Sequence, residues 1–356
     1  DGDVAEYFPV ARQLEHGLAV ARRQPGQGIE QGLDLRAVRA VHDVLQRLPY
    51  GLGAGLAGQL FPACVHEGQQ TLAVGAKDQL LHAAHEHRKI PLVASDAGLR
   101  RILGPFNLSI NQECGMLVEG FETRPSMLMG HAWPYMARRV EQNGYIKEQD
   151  LIAYMISAAA ASTPIRTLVL KKTARRISTR TVSGKRFQQE LALVFDIYND
   201  AWAGNWGFVP FTLREIEQLG KDLKPVLNTN FVRIASVDGE PAAFMVILPN
   251  INEVIADLNG KLLPFGWLKL WWRMTVRYPK SARMLLMGVR KQYQDSLLGA
   301  GLAYRLICDT QEAVLKRGIT QVELSWVLEN NTGVRDIIKE FGGVAYKRYR
   351  IFGKDL

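Results

Sequence analysis

Cysteine is scarce. Cys64, Cys114 and Cys308 are the only three, with no CxxC spacing among them. That excludes a disulfide framework and points to a reducing, cytoplasmic compartment. Long apolar runs are missing too. A helix needs about 20 consecutive apolar residues to cross a bilayer, so none is expected to span one. Residues 1–7 are acidic rather than basic then apolar, so no signal peptide is expected. Lysine is nearly absent from residues 1–98, where only Lys77 and Lys89 occur. Six of the seven histidines lie in that same segment. His82, His85 and His87 cluster there, but no cysteine or second ligand pair is near, so no metal is expected. Helical patterns fall at 35–48 and 77–87, without strand alternation and without a motif. Residues 1–98 therefore read as an unassigned, helix-leaning segment foreign to the rest of the chain, as a frameshifted stretch would be.

Positive charge is present in excess. The net charge is +9, which suits an anionic partner: a nucleotide cofactor, an anionic membrane surface or nucleic acid. The densest basic run is 166–186, with Arg166, Lys171, Lys172, Arg175, Arg176, Arg180, Lys185 and Arg186. No aromatics interleave it, so nucleic-acid binding is not expected. It reads as a basic linker over 161–185 containing an extended piece.

From residue 99 the texture changes. Residues 99–121 read as a short strand, a Gly-Pro stop and a polar loop, in which Ser109 and Gln112 have capping-box spacing. A helix follows at 134–143, then a strand at 147–154. Beyond the linker, 187–202 is an amphipathic helix with Leu191, Phe195 and Tyr198 on one face. Thr212 and Glu215 form a capping box for the next helix. Asp238-Gly239 joins strands 231–237 and 242–248 as a hairpin. A strand at 284–289, a helix at 301–317, a strand at 321–328, a helix at 332–341 and a strand at 345–352 complete the chain. This is an α/β domain with a mixed sheet. A faint repeat relates 99–154 to 320–352, which suggests two copies of one module with the first incomplete.

The stretch "MGVRKQYQDSLLGAGLAYRLI" (287–307) runs strand, glycine-bearing loop, helix. Backbone N–H groups and a helix N-terminus there can cradle phosphate. The element order and this loop resemble the GNAT superfamily of acyl-CoA-dependent N-acyltransferases, whose signature is Q/R-x-x-G-x-G/A. Here it reads Gln294-Asp295-Ser296-Leu297-Leu298-Gly299, with Leu297 in place of the first glycine. More narrowly, the chain is similar to a bacterial tandem-GNAT family. The matching stretches are "GPFNLSINQECGMLVEGF" (104–121), "NDAWAGNWGFVP" (199–210), "LNGKLLPFGWLKLWWR" (258–273), "LLMGV" (285–289), "ELSWVLENN" (323–331) and "GGVAYKRYRIF" (342–352). Some members are similar to bacterial ceramide synthases, which join a fatty acyl group to a sphingoid base. The resemblance implies a GNAT fold with a mixed, mostly antiparallel sheet. It implies a partial first module at 99–160 and a complete domain at 186–356.

It also implies a chemistry. An amine attacks the thioester carbonyl of acyl-CoA or acetyl-CoA. The resemblance places the cofactor on Val289, Arg290, Gln294, Asp295, Ser296, Leu297, Leu298 and Gly299, with Asn331 bordering it. Gly288 fits a bulge where the strand presents an oxyanion-binding N–H. Glu323 is the candidate base, because a carboxylate on so apolar a strand needs a reason to be there. Tyr346 and Tyr349 are candidate acids. Asn107, Asn111, Glu113, Trp202 and Trp206 are expected at the acceptor cleft. The alternative is a non-catalytic acyl-CoA-binding or structural module.

One further segment bears on the acceptor. Read as a helix, 262–279 places Trp267, Leu270, Trp271 and Met274 on one face and Lys269, Arg273 and Arg277 on another. Tryptophan opposite a cationic face suits an anionic membrane surface. That predicts a long-chain or lipid amine acceptor and peripheral association with the inner membrane.

Overall fold

The computed structural model describes residues 71–73, 99–107, 109–224, 226–258, 263 and 265–356. The expectations for residues 1–98, including the helices at 35–48 and 77–87 and the histidine cluster, fall outside them apart from residues 71–73. The chain divides into two units, residues 1–108 with 354–356, and residues 109–353. In the first, strands β1 (Thr71–Ala73) and β2 (Arg101–Gly104) pair in parallel, with Leu72 opposite Ile102. The short strand β3 (Phe106–Asn107) follows.

The second unit carries strands β4 (Ser109–Cys114), β5 (Met116–Glu119), β6 (Ile146–Ser157), β7 (Ile177–Thr181), β8 (Val232–Val237), β9 (Glu240–Pro249), β10 (Ser281–Val289), β11 (Gln321–Leu328) and β12 (Val344–Asp355). Its helices are α1 (Pro134–Gln142), α2 (Pro164–Thr173), α3 (Phe187–Trp202), α4 (Leu213–Leu223), α5 (Ile251–Ile255), α6 (Gly266–Thr275), α7 (Leu297–Lys316) and α8 (Thr332–Glu340). The sheet runs β12-β6-β11-β10-β9-β8-β7, and β5 also pairs with β12. All of these pairs are antiparallel except β10 with β11. This is the expected GNAT fold, α/β with a mixed, mostly antiparallel sheet.

Alternation along the strands builds two cores. From β9, Met245 and Ile247 meet Leu302, Leu306 and Val314 of α7 on one face. Phe244, Val246 and Leu248 meet Val194, Phe195, Ile197 and Ile216 of α3 and α4 on the other. The Thr212–Glu215 capping box starts α4 as expected. The Asp238-Gly239 turn takes positive φ at both residues (51° and 93°), which lets it join β8 to β9 as a tight hairpin.

Three expectations change. Residues 109–119 are strands, not a polar loop, because Ile110 and Cys114 alternate inward and Gly115 (φ 77°) makes the turn between β4 and β5. No helix begins at residue 109, so the segment offers no helix start for the expected capping box. The basic run is not a connector. Arg166 is buried in α2, Gly301 lets α7 press against Thr173, and β7 pairs residue by residue with β8. Finally, β6 lies between β11 and β12, so a strand of the 99–160 segment completes the sheet of the later domain.

Asp150 on β6 fastens that insertion. Its carboxylate is 1% exposed and accepts from Arg350 Nε (2.8 Å), Arg350 Nη2 (3.1 Å) and Arg348 Nη1 (3.2 Å). Burial alone would raise its pKa, but the Arg350 hydrogen bonds and the charges of Arg350 and Lys147 outweigh burial and hold it below the ordinary range. A lowered carboxylate contributes stability that is in place above about pH 4 and lost as pH falls through the folded value. Asp150→Ala should cost about 3 kcal/mol, because it takes from Arg348 and Arg350 the buried carboxylate that both of them bond. Urea unfolding at neutral pH checks this, and the deficit should shrink as the pH is lowered.

Candidate active site

Strands β10 and β11 are paired only from Ser281–Gln321 to Met284–Leu324. Beyond that they splay. A register irregularity in β10 falls between Met284 and Leu286. The bulge expected at Gly288 is therefore earlier. Gly288 is instead a close-packing position, where a Cβ would lie 2.7 Å from Phe244 Cε1 and 3.1 Å from Ala201 Cβ of α3.

The splay exposes backbone. The Arg290 N–H bonds Ala242 O across to β9, so Gly288 and Leu286 face β9 while Met287 and Val289 face away from it. Two side chains take the carbonyls on that side. Trp202 Nε1 donates to Met287 O (3.0 Å) and Gln294 Nε2 to Val289 O (2.8 Å). The N–H groups of Met287 and Val289 point the same way, which is the direction an oxyanion donor needs. Trp202 also meets Trp326 edge-on at 6.0 Å and stacks on Tyr198 at 5.1 Å. Trp202 is thus in the wall of the splay, whereas Trp206 lies in the turns after α3.

The loop expected to hold phosphate follows the C-terminal end of β10. Ser296 caps α7 by accepting from Gly299 N (3.1 Å). The N–H groups of Leu297 and Leu298 lie in the first turn, where no intrahelical partner exists. Gly299 is required by close approach, since a Cβ there would meet Tyr293 O at 2.1 Å. Leu297 is half exposed. Arg290 is not offered to a ligand, because its guanidinium pairs with Asp196 (2.5 Å) and donates to Pro241 O. Gln294 Nε2 is spent on the carbonyls of Val289 at the end of β10 and Ala201 of α3 (3.1 Å). Asp295 sits at φ 56° in the turn. Asn331 is occupied in capping α8, where it accepts from Val334 N (3.2 Å).

The densest polar cluster is at Glu323, which is 0% exposed. Three hydroxyls donate to its carboxylate: Ser325 to Oε1, and Ser126 (2.5 Å) and Tyr346 to Oε2. Ser325 Oγ in turn accepts from Arg283 Nε (2.8 Å). Ser126 belongs to the irregular residues 120–133, which form a strap over Glu323. Donor side chains hold this strap by its carbonyls: Lys347 at Arg124 (2.6 Å), Asn252 at Pro125 (3.0 Å), and Arg283 at Met127 (2.8 Å) and Leu128 (3.2 Å).

Burial pushes the Tyr346 phenol up, and the adjacent Glu323 charge pushes it further. Its proton is held toward Glu323, so Tyr346 steadies the carboxylate instead of supplying the expected acid. Tyr349, the other expected acid, is 0% exposed. Its hydroxyl has no partner among the described residues, and burial and then Glu323 raise its pKa. Burial lowers the Lys347 ammonium against the pull of Glu323. Cys114 lies near Arg283, and burial pushes its thiol far up, which rules it out as a nucleophile at neutral pH. Glu329 belongs elsewhere, paired with Lys147 (2.7 Å).

The expected acceptor residues fall on several different elements. Asn111 bridges Tyr198 Oη (2.7 Å) and Val209 O (2.7 Å), which ties β4 to α3 and the segment after it. Glu113 is on β4 near Arg283. Asn107 belongs to β3 of the first unit. Among the described residues no group of His, Cys, Asp or Glu could hold a metal ion.

Two curated proteins match most of this chain. Protein YghO of Escherichia coli (strain K12) is 42% identical over 260 residues, which are 73% of this chain and 67% of that protein. The bacterial ceramide synthase of Caulobacter vibrioides is 44% identical over 260 residues, 73% of this chain and 68% of its own length. The chain belongs to the family of these two proteins. No protein-family model matches it. Among solved structures, a GCN5-related N-acetyltransferase from Sphaerobacter thermophilus is 14% identical over 78% of this chain and 69% of its own, with a TM-score of 0.44. A tandem GNAT protein from the clavulanic acid biosynthesis pathway is 12% identical over 97% and 94%, with a TM-score of 0.43.

Proposed function

We propose that this family member is an N-acyltransferase that moves an acyl group from acyl-CoA to the amine of a long-chain lipid base. The observation that carries this reading is the Glu323 carboxylate, buried on β11 one residue before the last paired position of β10 and β11, after which the strands splay. A carboxylate has about four acceptor sites. Three are filled here by hydroxyls, and the remaining one is on Oε1. That site suits an ammonium proton.

In this scheme the donor's pyrophosphate meets the N–H groups of Leu297 and Leu298. The thioester carbonyl turns toward the Met287 and Val289 N–H groups. Glu323 takes the proton from the ammonium, the freed amine attacks the carbonyl carbon, and the C–S bond breaks. The attacking nitrogen gives its second proton to water as the C–S bond breaks, and the departing thiolate takes a proton from water, since Tyr346 is committed to Glu323. A non-catalytic binding module would have no use for a carboxylate held in this way.

The lipid part of the reading rests on α6 and on the relative named a ceramide synthase. No residue of α6 is buried, and Trp267, Leu268, Trp271 and Trp272 are all exposed. Leu268, Trp271 and Trp272, with Leu258, Leu263 and Phe265, border an open groove of about 790 Å³. The expected cationic face is partly neutralised, because Lys269 and Arg273 both pair with Asp257 (2.5 Å each). Membrane contact would therefore come from aromatic insertion more than from charge. Asn252 of the adjoining helix α5 holds the strap at Pro125, which links this region to the roof of Glu323. Among the described residues no helix is long and apolar enough to cross a membrane, so attachment would be peripheral, at the inner face of the membrane.

Vesicle co-sedimentation tests this. The parent should sediment with both neutral and anionic vesicles, and the Trp271→Glu/Trp272→Glu variant with neither. Both proteins staying in the supernatant, with a parent that accepts acetyl-CoA but no long-chain donor, would point to a small soluble amine instead.

A further inference from the structure

Arg283 stands in register opposite Glu323 on the neighbouring parallel strand, and it is 4% exposed. A buried arginine beside a buried carboxylate would be expected to pair with it directly, by two parallel bonds. No such bond is made. All four of its hydrogen bonds go elsewhere: Nε to Ser325 Oγ (2.8 Å), Nη2 to Ser325 O (3.2 Å), and Nη1 to Met127 O (2.8 Å) and Leu128 O (3.2 Å).

The arrangement has a direction. A guanidinium can only donate. Ser325 Oγ must therefore accept from Arg283, and its single proton is left for Glu323 Oε1. The opposite edge of the guanidinium grips the carbonyls that follow Ser126, whose hydroxyl donates to Oε2. Leu128 is held at φ 58°, a conformation costly for a branched residue, with its carbonyl on Arg283. One side chain thus governs a hydroxyl at each carboxylate oxygen and leaves the fourth acceptor site open. The other charged and titratable groups around the cluster are Tyr346, Lys347 and Tyr349 on β12 and Cys114 and Glu113 on β4. None of these bonds Ser325.

We infer that Arg283 is a positioning residue for the reaction: through Ser325 and the strap it orients the hydroxyls on Glu323 so that one acceptor site faces the incoming amine. This rests on the reading of Glu323 as the base.

A kinetic double-mutant cycle tests it, with palmitoyl-CoA and sphinganine as probes and CoA release as readout. Arg283→Met should lower kcat by about tenfold or more and leave the donor KM within about twofold. In the Glu323→Gln background the same change should alter the residual rate by less than about twofold, because a residue that acts through Glu323 has nothing left to act on. Arg283→Lys, which keeps a donor toward Ser325, should recover part of kcat. Equal losses in the two backgrounds, or no loss in either, would overturn the inference. If Arg283→Met does not fold, Ser325→Ala removes the relay with little change in volume and should show the same non-additivity. A Ser325→Ala loss that persists undiminished in the Glu323→Gln background would overturn it too.

The base and its positioning residue fail separately. Parent-like turnover in Glu323→Gln removes the base itself. An impaired Glu323→Gln beside a parent-like Arg283→Met removes only the positioning role. Hydrogen exchange gives a reading independent of turnover. The strap at 126–129 should exchange faster in Arg283→Met while α7 is unchanged, and an unchanged strap would contradict the grip assigned to Arg283.

Discussion

Glu323→Gln is expected to lower turnover by about 10²-fold or more, with the protein folded and the donor still bound. The substitution keeps the shape of the side chain and removes its ability to take a proton. The hydroxyls of Ser126, Ser325 and Tyr346 each hold a rotatable proton, so they can reverse to accept from an amide and keep the cluster hydrogen-bonded. Stability should change little for that reason, and the loss should sit in kcat rather than in the donor KM. Steady-state kinetics across pH 6–9, with thermal unfolding as the control, checks it. Rates matching the parent over that range would reassign Glu323 to structure and leave a water chain as the base.

Leu297→Glu is expected to weaken donor binding by about tenfold or more without harming the fold. Leu297 is the first residue of α7 and is 50% exposed, so a carboxylate there stays in water. An acidic residue in the first turn also favours the helix, by about 0.3–1 kcal/mol. The same carboxylate would face the pyrophosphate. Isothermal titration with CoA measures the effect, and an unchanged Kd would move the pyrophosphate away from this loop. Leu297→Gly should bind at least as tightly as the parent. Gly299 is a poorer probe, since any side chain there collides with Tyr293 O and breaks the loop whatever its charge.

Much of the fold was legible because local chemistry and the global arrangement agree. Asp238-Gly239 marked a hairpin and Thr212 with Glu215 marked a helix start. The alternation of β11 placed Glu323 on one side of a strand otherwise apolar. The misread elements share a cause. Residues 109–119 carry glycine and polar residues typical of loops, yet Ile110 and Cys114 pack inward and tertiary contacts decide the outcome. The run at 166–186 is basic enough to pass for a solvated connector, and only the burial of Arg166 and the pairing of β7 show otherwise.

The candidate site was half legible. Glu323 and Tyr346 could be picked out from their strands, since both sit on short periodic elements. Ser126, Arg283 and Lys347 could not. Ser126 lies 197 residues from the carboxylate it donates to, in a strap with no periodicity. Arg283 reads in isolation as the solvated end of a strand, and only the parallel register with β11 brings it beside Glu323. The cationic side of α6 was visible, but Asp257, which pairs with Lys269 and Arg273, belongs to the preceding segment. Sites assembled by long-range contacts leave no local period to detect.

The most direct measurement is product analysis by mass spectrometry of the full chain incubated with palmitoyl-CoA and sphinganine. The expected result is the N-palmitoyl amide formed in equal amount with free CoA, dependent on the amine and lost in Glu323→Gln. Tight binding of palmitoyl-CoA with no amide formed from sphinganine or from any other amine offered would contradict it, and would leave a binding module in place of an acyltransferase.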